Sequence, residues 1–131
     1  MQVAVACPAG RRLHDGVLAY AKECGGRFTF TNDPLAAACG ADAVFTDVWA
    51  SMGQEAEQKE RERQFMGFCV DDALMKKTNN GAIVQHCLPA HRGEEITEQV
   101  FEAHAGEIFD EAENRLHAQK AVLVSLMGQV L

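Results

Sequence analysis

The run Ala82-Ile83-Val84-Gln85-His86-Cys87-Leu88-Pro89-Ala90-His91-Arg92-Gly93 decides how the chain is read. Ala82-Ile83-Val84 is a short apolar stretch behind the turn residues Thr78-Asn79-Asn80-Gly81, and it reads as a buried strand. Pro89 ends any strand ladder, because it has no N–H to donate and its φ is fixed. A thiol, two imidazoles and a guanidinium therefore leave a buried strand on a stiff turn. Each has a plain structural alternative: Cys87 as a small core hydrophobe, His86 as a satisfied buried imidazole, Arg92 as a surface ion pair. Their density beside one strand end is what singles them out.

Working outward, the same alternation recurs. Val3-Ala4-Val5-Ala6 reads as a strand ended by Pro8-Ala9-Gly10. Val17, Leu18, Ala21 and Cys24 recur at helical spacing, and Gly25-Gly26 stops that helix. Phe28-Thr29-Phe30 is a second strand. Asn32 or Asp33 then caps a short helix, with Pro34 suited to its first turn. Ala43-Val44-Phe45-Thr46 is a third strand. From Gln54 to Gln64 nearly every residue is charged or polar, with Glu55/Lys59 and Glu57/Arg61 at i, i+4, so a solvated, loosely attached helix is expected. Short helices follow over Asp71 to Lys77 and near Thr97 to Glu102. Glu107-Ile108-Phe109 is expected as a fifth strand, with Asp110 capping a last helix from about Glu111 to Met127. Strands alternating with helices imply an α/β fold: one parallel sheet of about five short strands, right-handed crossovers and helices on both faces.

Composition bounds the function. The 131 residues make one domain, and 47% apolar with 24% charged residues is ordinary for a globular chain. A net charge of −7 argues against nucleic acid, whose binders carry a basic face. No apolar stretch approaches membrane-spanning length, and the start lacks the charged leader of a signal peptide. Five cysteines (Cys7, Cys24, Cys39, Cys69, Cys87) without C-x-x-C pairing speak against a disulfide framework and a zinc ribbon. A reducing, cytoplasmic setting is expected.

In a parallel sheet the C-terminal strand ends share one edge, and ligands bind in the crevice outside it. Three polar clusters follow strands: Asp47-Val48-Trp49-Ala50-Ser51-Met52-Gly53, His86 to Gly93, and Asp110-Glu111-Ala112-Glu113-Asn114-Arg115. Asp47 suits a ligand ammonium group or caps a turn. Ser51 with Gln54 forms a capping box, or its N–H groups hold a carboxylate. Trp49 suits core, interface or ligand contact. Arg115 either pairs with Glu111 at i, i+4 or holds a phosphate near a helix N-terminus. No Gly-x-Gly-x-x-Gly run supports a dinucleotide. A closed metal site wants four ligands, and His86 and Cys87 are neighbours on an extended chain that point to opposite faces, so neither a metal nor a nucleophile pair is expected.

The three clusters, in this order, resemble the ornithine carbamoyltransferases. Asp47 with Ser51-Met52-Gly53 is similar to that family's ornithine loop, His86-Cys87-Leu88-Pro89 to its second signature, and Glu113-Asn114-Arg115 to its third. The resemblance spans nearly the whole chain. It implies a Rossmann-like ornithine-binding domain and transfer of the carbamoyl group of carbamoyl phosphate to the δ-amine of L-ornithine, giving L-citrulline and phosphate. The metabolic setting implied is arginine metabolism and the urea cycle. Asp47 would hold the α-amino group, and Ser51 and Met52 would line the amino-acid site. Cys87 and Leu88 would sit where the amine meets the carbamoyl carbon, and Arg115 would contact carbamoyl phosphate. Cys87 and Arg115 are then the catalytic residues. Cys87, Leu88 and Arg115 serve carbamoyl phosphate; no cofactor is implied.

The family's N-terminal domain, with its Ser-x-Arg-Thr phosphate motif, has no counterpart in residues 1–131. The chain is therefore expected to be a partial ornithine-binding domain, inactive alone, with the first strand of its sheet missing. A missing central strand leaves unpaired edges, and Ala121 to Met127 is apolar nearly all round, so a homo-oligomer is expected. The alternative is a non-catalytic, self-associating module that binds an amino acid weakly.

Overall fold

The computed structural model describes residues 1–50 and 58–128. β1 (Gln2–Ala6) and β2 (Arg27–Thr31) form one parallel pair, in register from Gln2 opposite Arg27 to Ala6 opposite Thr31. β3 (Ala43–Thr46) and β4 (Ile83–His86) form a second, from Ala43 opposite Ile83 to Thr46 opposite His86. The helix α1 (Asp15–Glu23) connects the first pair, as parallel neighbours require. His14 caps α1 through Nδ1, which accepts from Gly16 N–H. Gly25 leaves that helix at a positive φ of 64°.

One local expectation holds residue by residue, the start of the short helix after β2. The Asp33 carboxylate accepts from Leu35 and Ala36 N–H and starts α2 (Pro34–Ala38), with Pro34 in the first turn where its missing N–H costs nothing. Asp71 caps α4 (Asp72–Met75) through Leu74 N–H, and Thr97 caps α5 (Glu98–Ala103) through Val100 N–H. The charged helix α3 (Gln58–Phe65) has no buried residue. It is tied down at its end by Phe65, which stacks on Trp49 at 6.0 Å and meets Phe68 edge-on. The part of that expected helix before residue 58 lies outside the described residues.

The sheet differs from the expected one. Its four described strands form two separate parallel pairs, so β1 and β3 are each paired on one side only. The expected fifth strand is helical: Glu107-Ile108-Phe109 belongs to α6 (Ala105–Met127). Three residues are too few to separate a period of two from one of 3.6. What fixes the outcome is tertiary. Ile108 is fully buried in the core, and the Glu107 carboxylate accepts Val84 N–H at 3.0 Å. A helix side chain thus covers part of β4's outer edge where a strand was expected. It follows that Asp110 lies inside α6 and does not cap it, and that the helix begins before Glu111.

The core sits in the β4 half of the molecule. Val84, Val70, Leu74, Ile96, Val100, Phe101 and Ile108 are buried together, with Ala38 of α2 against them. The β1–β2 pair has no buried residue. Beyond Leu116 the apolar side chains of α6 (Val122, Leu123, Val124, Leu126, Met127) are exposed. Among the described residues, no helix is long and apolar enough to cross a membrane.

Candidate active site

Because Thr46 stands opposite His86, the next residue on each strand emerges side by side at the same sheet edge. Those residues are Asp47 and Cys87. The Cys87 thiol donates to Asp47 Oδ1 at 3.2 Å, and the same oxygen accepts Val48 N–H at 2.8 Å. His86, the last residue of β4, is buried where Cys87 is exposed. It is fully buried, and its ring is engaged at both nitrogens. Leu88 N–H donates to Nδ1 at 3.0 Å, which leaves the proton on Nε2, facing Glu95 Oε1 at 3.0 Å.

Glu95 is the residue the sequence reading missed. It is also fully buried, and its Oε1 accepts a second hydrogen bond from His91 N–H at 2.6 Å. His86 and Glu95 thus clamp the Cys87–Pro89 turn from beneath. The turn needs that support: Leu88 sits at φ 54°, in the left-handed region that non-glycine residues rarely adopt. The one signal in the sequence was a glutamate next to the apolar Ile96, in a segment otherwise readable as an exposed turn. Arg92 takes its structural alternative. It pairs with Glu98 and Glu102 and lies over the Phe101 ring at 4.6 Å, which holds the turn to α5.

Arg115 reaches the same edge by a different route from the one expected. It lies well inside α6, away from any helix N-terminus, and lines a hollow of about 350 Å³ with Cys87, Glu111, Ala112, Asn114 and Ala118. Among the described residues no ion pair joins it to Glu111, and its guanidinium has no protein partner. Trp49 is engaged by Phe65. Ser51 and Met52 lie outside the described residues.

The electrostatics define what Cys87 can do. Burial pushes its thiol pKa up, and the hydrogen bond to Asp47 and the charges of Asp47 and Glu111 add to that, outweighing a backbone hydrogen bond that lowers it. A thiol so placed stays protonated at neutral pH and serves as a donor, not a thiolate nucleophile. Asp47, His86 and Cys87 bring donor atoms within 4.8 Å of one another, as do His91, Glu94 and Glu95. In the first group both His86 nitrogens are already committed. In the second, Glu95 is bonded to His86 and to His91 N–H. Neither makes a four-ligand structural site. All five cysteines are free.

The class these features define is an α/β domain of parallel strands, with a small polar cleft where two adjacent strands end. The family model described as the aspartate/ornithine carbamoyltransferase Asp/Orn-binding domain matches residues 1–126, and the chain belongs to that family. An ornithine carbamoyltransferase of Parasynechococcus marenigrum is 56% identical over 131 residues, covering 98% of this chain and 41% of the relative. Among solved structures, the anabolic ornithine carbamoyltransferase of Campylobacter jejuni matches with a TM-score of 0.92 at 37% identity, covering 98% of this chain and 44% of that one. The Pyrococcus furiosus ornithine carbamoyltransferase matches at 0.83 and 47%, covering 94% and 41%. The chain therefore spans well under half the length of these relatives.

Proposed function

We propose that this chain is the ornithine-binding part of an ornithine carbamoyltransferase. The observation that carries the reading is the Asp47–Cys87 contact at paired strand ends, with Arg115 lining the same hollow as Cys87. In the reaction, the neutral δ-amine of L-ornithine attacks the carbamoyl carbon of carbamoyl phosphate. A C–N bond forms, the C–O bond to phosphate breaks, the amine nitrogen gives up a proton, and L-citrulline and phosphate leave.

The residues present suit positioning more than covalent chemistry. Asp47 is an acceptor for the α-ammonium group. Cys87 and the Leu88 carbonyl flank the attacking amine, and the turn beneath them is fixed by His86 and Glu95. Arg115, which lines the hollow beside Cys87, supplies positive charge to the carbamoyl phosphate oxygens and to the oxyanion of the tetrahedral intermediate. Ser51 and Met52 complete the amino-acid side. The rest of the carbamoyl phosphate site comes from a second domain, so the isolated chain is inactive. It works as a homo-oligomer, in the reducing cytoplasm that five free cysteines suit, without a cofactor.

Calorimetric titration of the chain with L-ornithine tests the assignment. Asp47→Ala is expected to abolish measurable binding while leaving the far-UV circular dichroism spectrum intact. Unchanged affinity in that variant means the amino-acid site lies elsewhere.

A further inference from the structure

From Glu113 to Met127 every residue of α6 is exposed, so this half of the helix stands largely clear of the other described residues. A helix of that length is marginal alone, and the β-branched Val122 and Val124 favour it little. Its apolar side chains are also ordered. Phe109, Leu116 and Leu123 recur every seven residues and are 55%, 54% and 56% exposed. A seven-residue repeat keeps one stripe of a helix turned toward a neighbouring helix. Glu113 and Lys120 repeat at the same interval beside that stripe. Glu113 meets His117 Nε2 at 3.2 Å, while Lys120 has no acidic partner among the described residues.

Those two charges decide the partner. Take a second copy of α6 running antiparallel, with a two-fold axis passing near Leu116. Phe109 of each helix then meets Leu123 of the other, and Glu113 of each meets Lys120 of the other. A parallel pair sets Glu113 against Glu113 and Lys120 against Lys120, which repel. A lipid surface fits poorly, since helices that lie on membranes carry a basic polar face and this chain has a net charge of −7. Pairing also leaves the cleft open, because Glu111, Arg115 and Ala118, which line the hollow, form a separate row well round the helix from the stripe.

We propose that α6 is a self-pairing surface: two copies of this chain associate through antiparallel α6 helices, with Phe109, Leu116 and Leu123 as the seam and two Glu113–Lys120 pairs setting its direction. The contact is isologous and closes on itself, which gives a dimer and not a filament. It stands apart from the reading of the cleft and does not depend on it.

Sedimentation equilibrium measures the association in the unsubstituted chain, Glu113→Lys, Lys120→Glu, the double variant and Leu116→Asp. Each single reversal puts like charges at both pairs and is expected to weaken the dimer about tenfold, and the double variant restores it to within about threefold. Leu116→Asp, at the centre of the seam, abolishes it. If that variant loses helix by far-UV circular dichroism, the charge reversals, all at exposed positions, decide alone. A chain that stays monomeric at every concentration overturns the proposal. Association that survives Leu116→Asp places the contact elsewhere and overturns it too. Single reversals without effect, or without rescue in the double variant, overturn the antiparallel pairing, and species larger than a dimer overturn its closure.

Discussion

Replacing Glu95 with leucine is the sharpest perturbation of the turn that carries Cys87 and Leu88. Both His86 and Glu95 are 0% exposed. The substitution strands two donors that share Glu95 Oε1: His86 Nε2–H at 3.0 Å and His91 N–H at 2.6 Å. Each unsatisfied buried donor costs about 1–3 kcal/mol, so the gross penalty is about 2–6 kcal/mol; burying an apolar side chain returns part of it, for an expected net loss of about 3 kcal/mol. That is a large fraction of the stability of a domain this size. His86→Leu strands Glu95 and Leu88 N–H in turn. In the double variant the His86–Glu95 cost is no longer counted twice, so its loss falls short of the sum by about 1–3 kcal/mol. Urea unfolding of the four proteins, followed by far-UV circular dichroism, measures the cycle. A loss below about 0.5 kcal/mol in Glu95→Leu, or strict additivity in the double variant, refutes the claim that this pair clamps the turn.

Three further outcomes follow from the same geometry. Burial opposes the charge on Glu107, but hydrogen bonds from Val84 N–H and His104 hold its pKa below the usual carboxylate value. Its contribution to stability is therefore complete above the unfolded pKa and lost as pH falls through the folded one; urea midpoints across that acid window should fall less steeply in Glu107→Gln. The Cys87 thiol should react with iodoacetamide only at pH values above those for an ordinary thiol, and Asp47→Asn should move the reaction to lower pH, since Asp47 supplies a hydrogen bond and a charge that raise it. An unshifted profile in Asp47→Asn contradicts that account. Sedimentation should show concentration-dependent association of the chain, weakened by Leu123→Glu with Leu126→Glu, because those side chains are exposed on α6; a monomer at high concentration removes the basis for an oligomer.

Much of the site was legible because parallel pairing is geometrically strict. Asp47 and Cys87 each follow a strand recognisable by its apolar run, and register alone brings them together. The Asp33-Pro34 helix start was legible for a local reason, since the cap and the proline act within a few residues. Glu107-Ile108-Phe109 was misread because its conformation is set by what it covers: Ile108 fills the core and Glu107 reaches the edge of β4. Placing a strand there also put a helix start at Asp110, so the suggested helix-end phosphate site for Arg115 went with it. Glu95 was invisible for a related reason. Its partner is nine residues away across a turn whose shape no local pattern specifies. Glu111 carried a local explanation, the i, i+4 pair with Arg115, that the folded chain does not use.

The assignment on which the rest depends is that the crevice where β3 and β4 end is an amino-acid site. An L-ornithine titration followed by amide ¹H–¹⁵N spectra tests it most directly. Progressive shifts of Val48, Cys87 and Leu88 are expected, with Arg115 and its neighbours on α6 responding in step. Shifts confined to the separate cavity lined by Lys59, Arg63 and Met66, with Val48, Cys87 and Leu88 unmoved, contradict it.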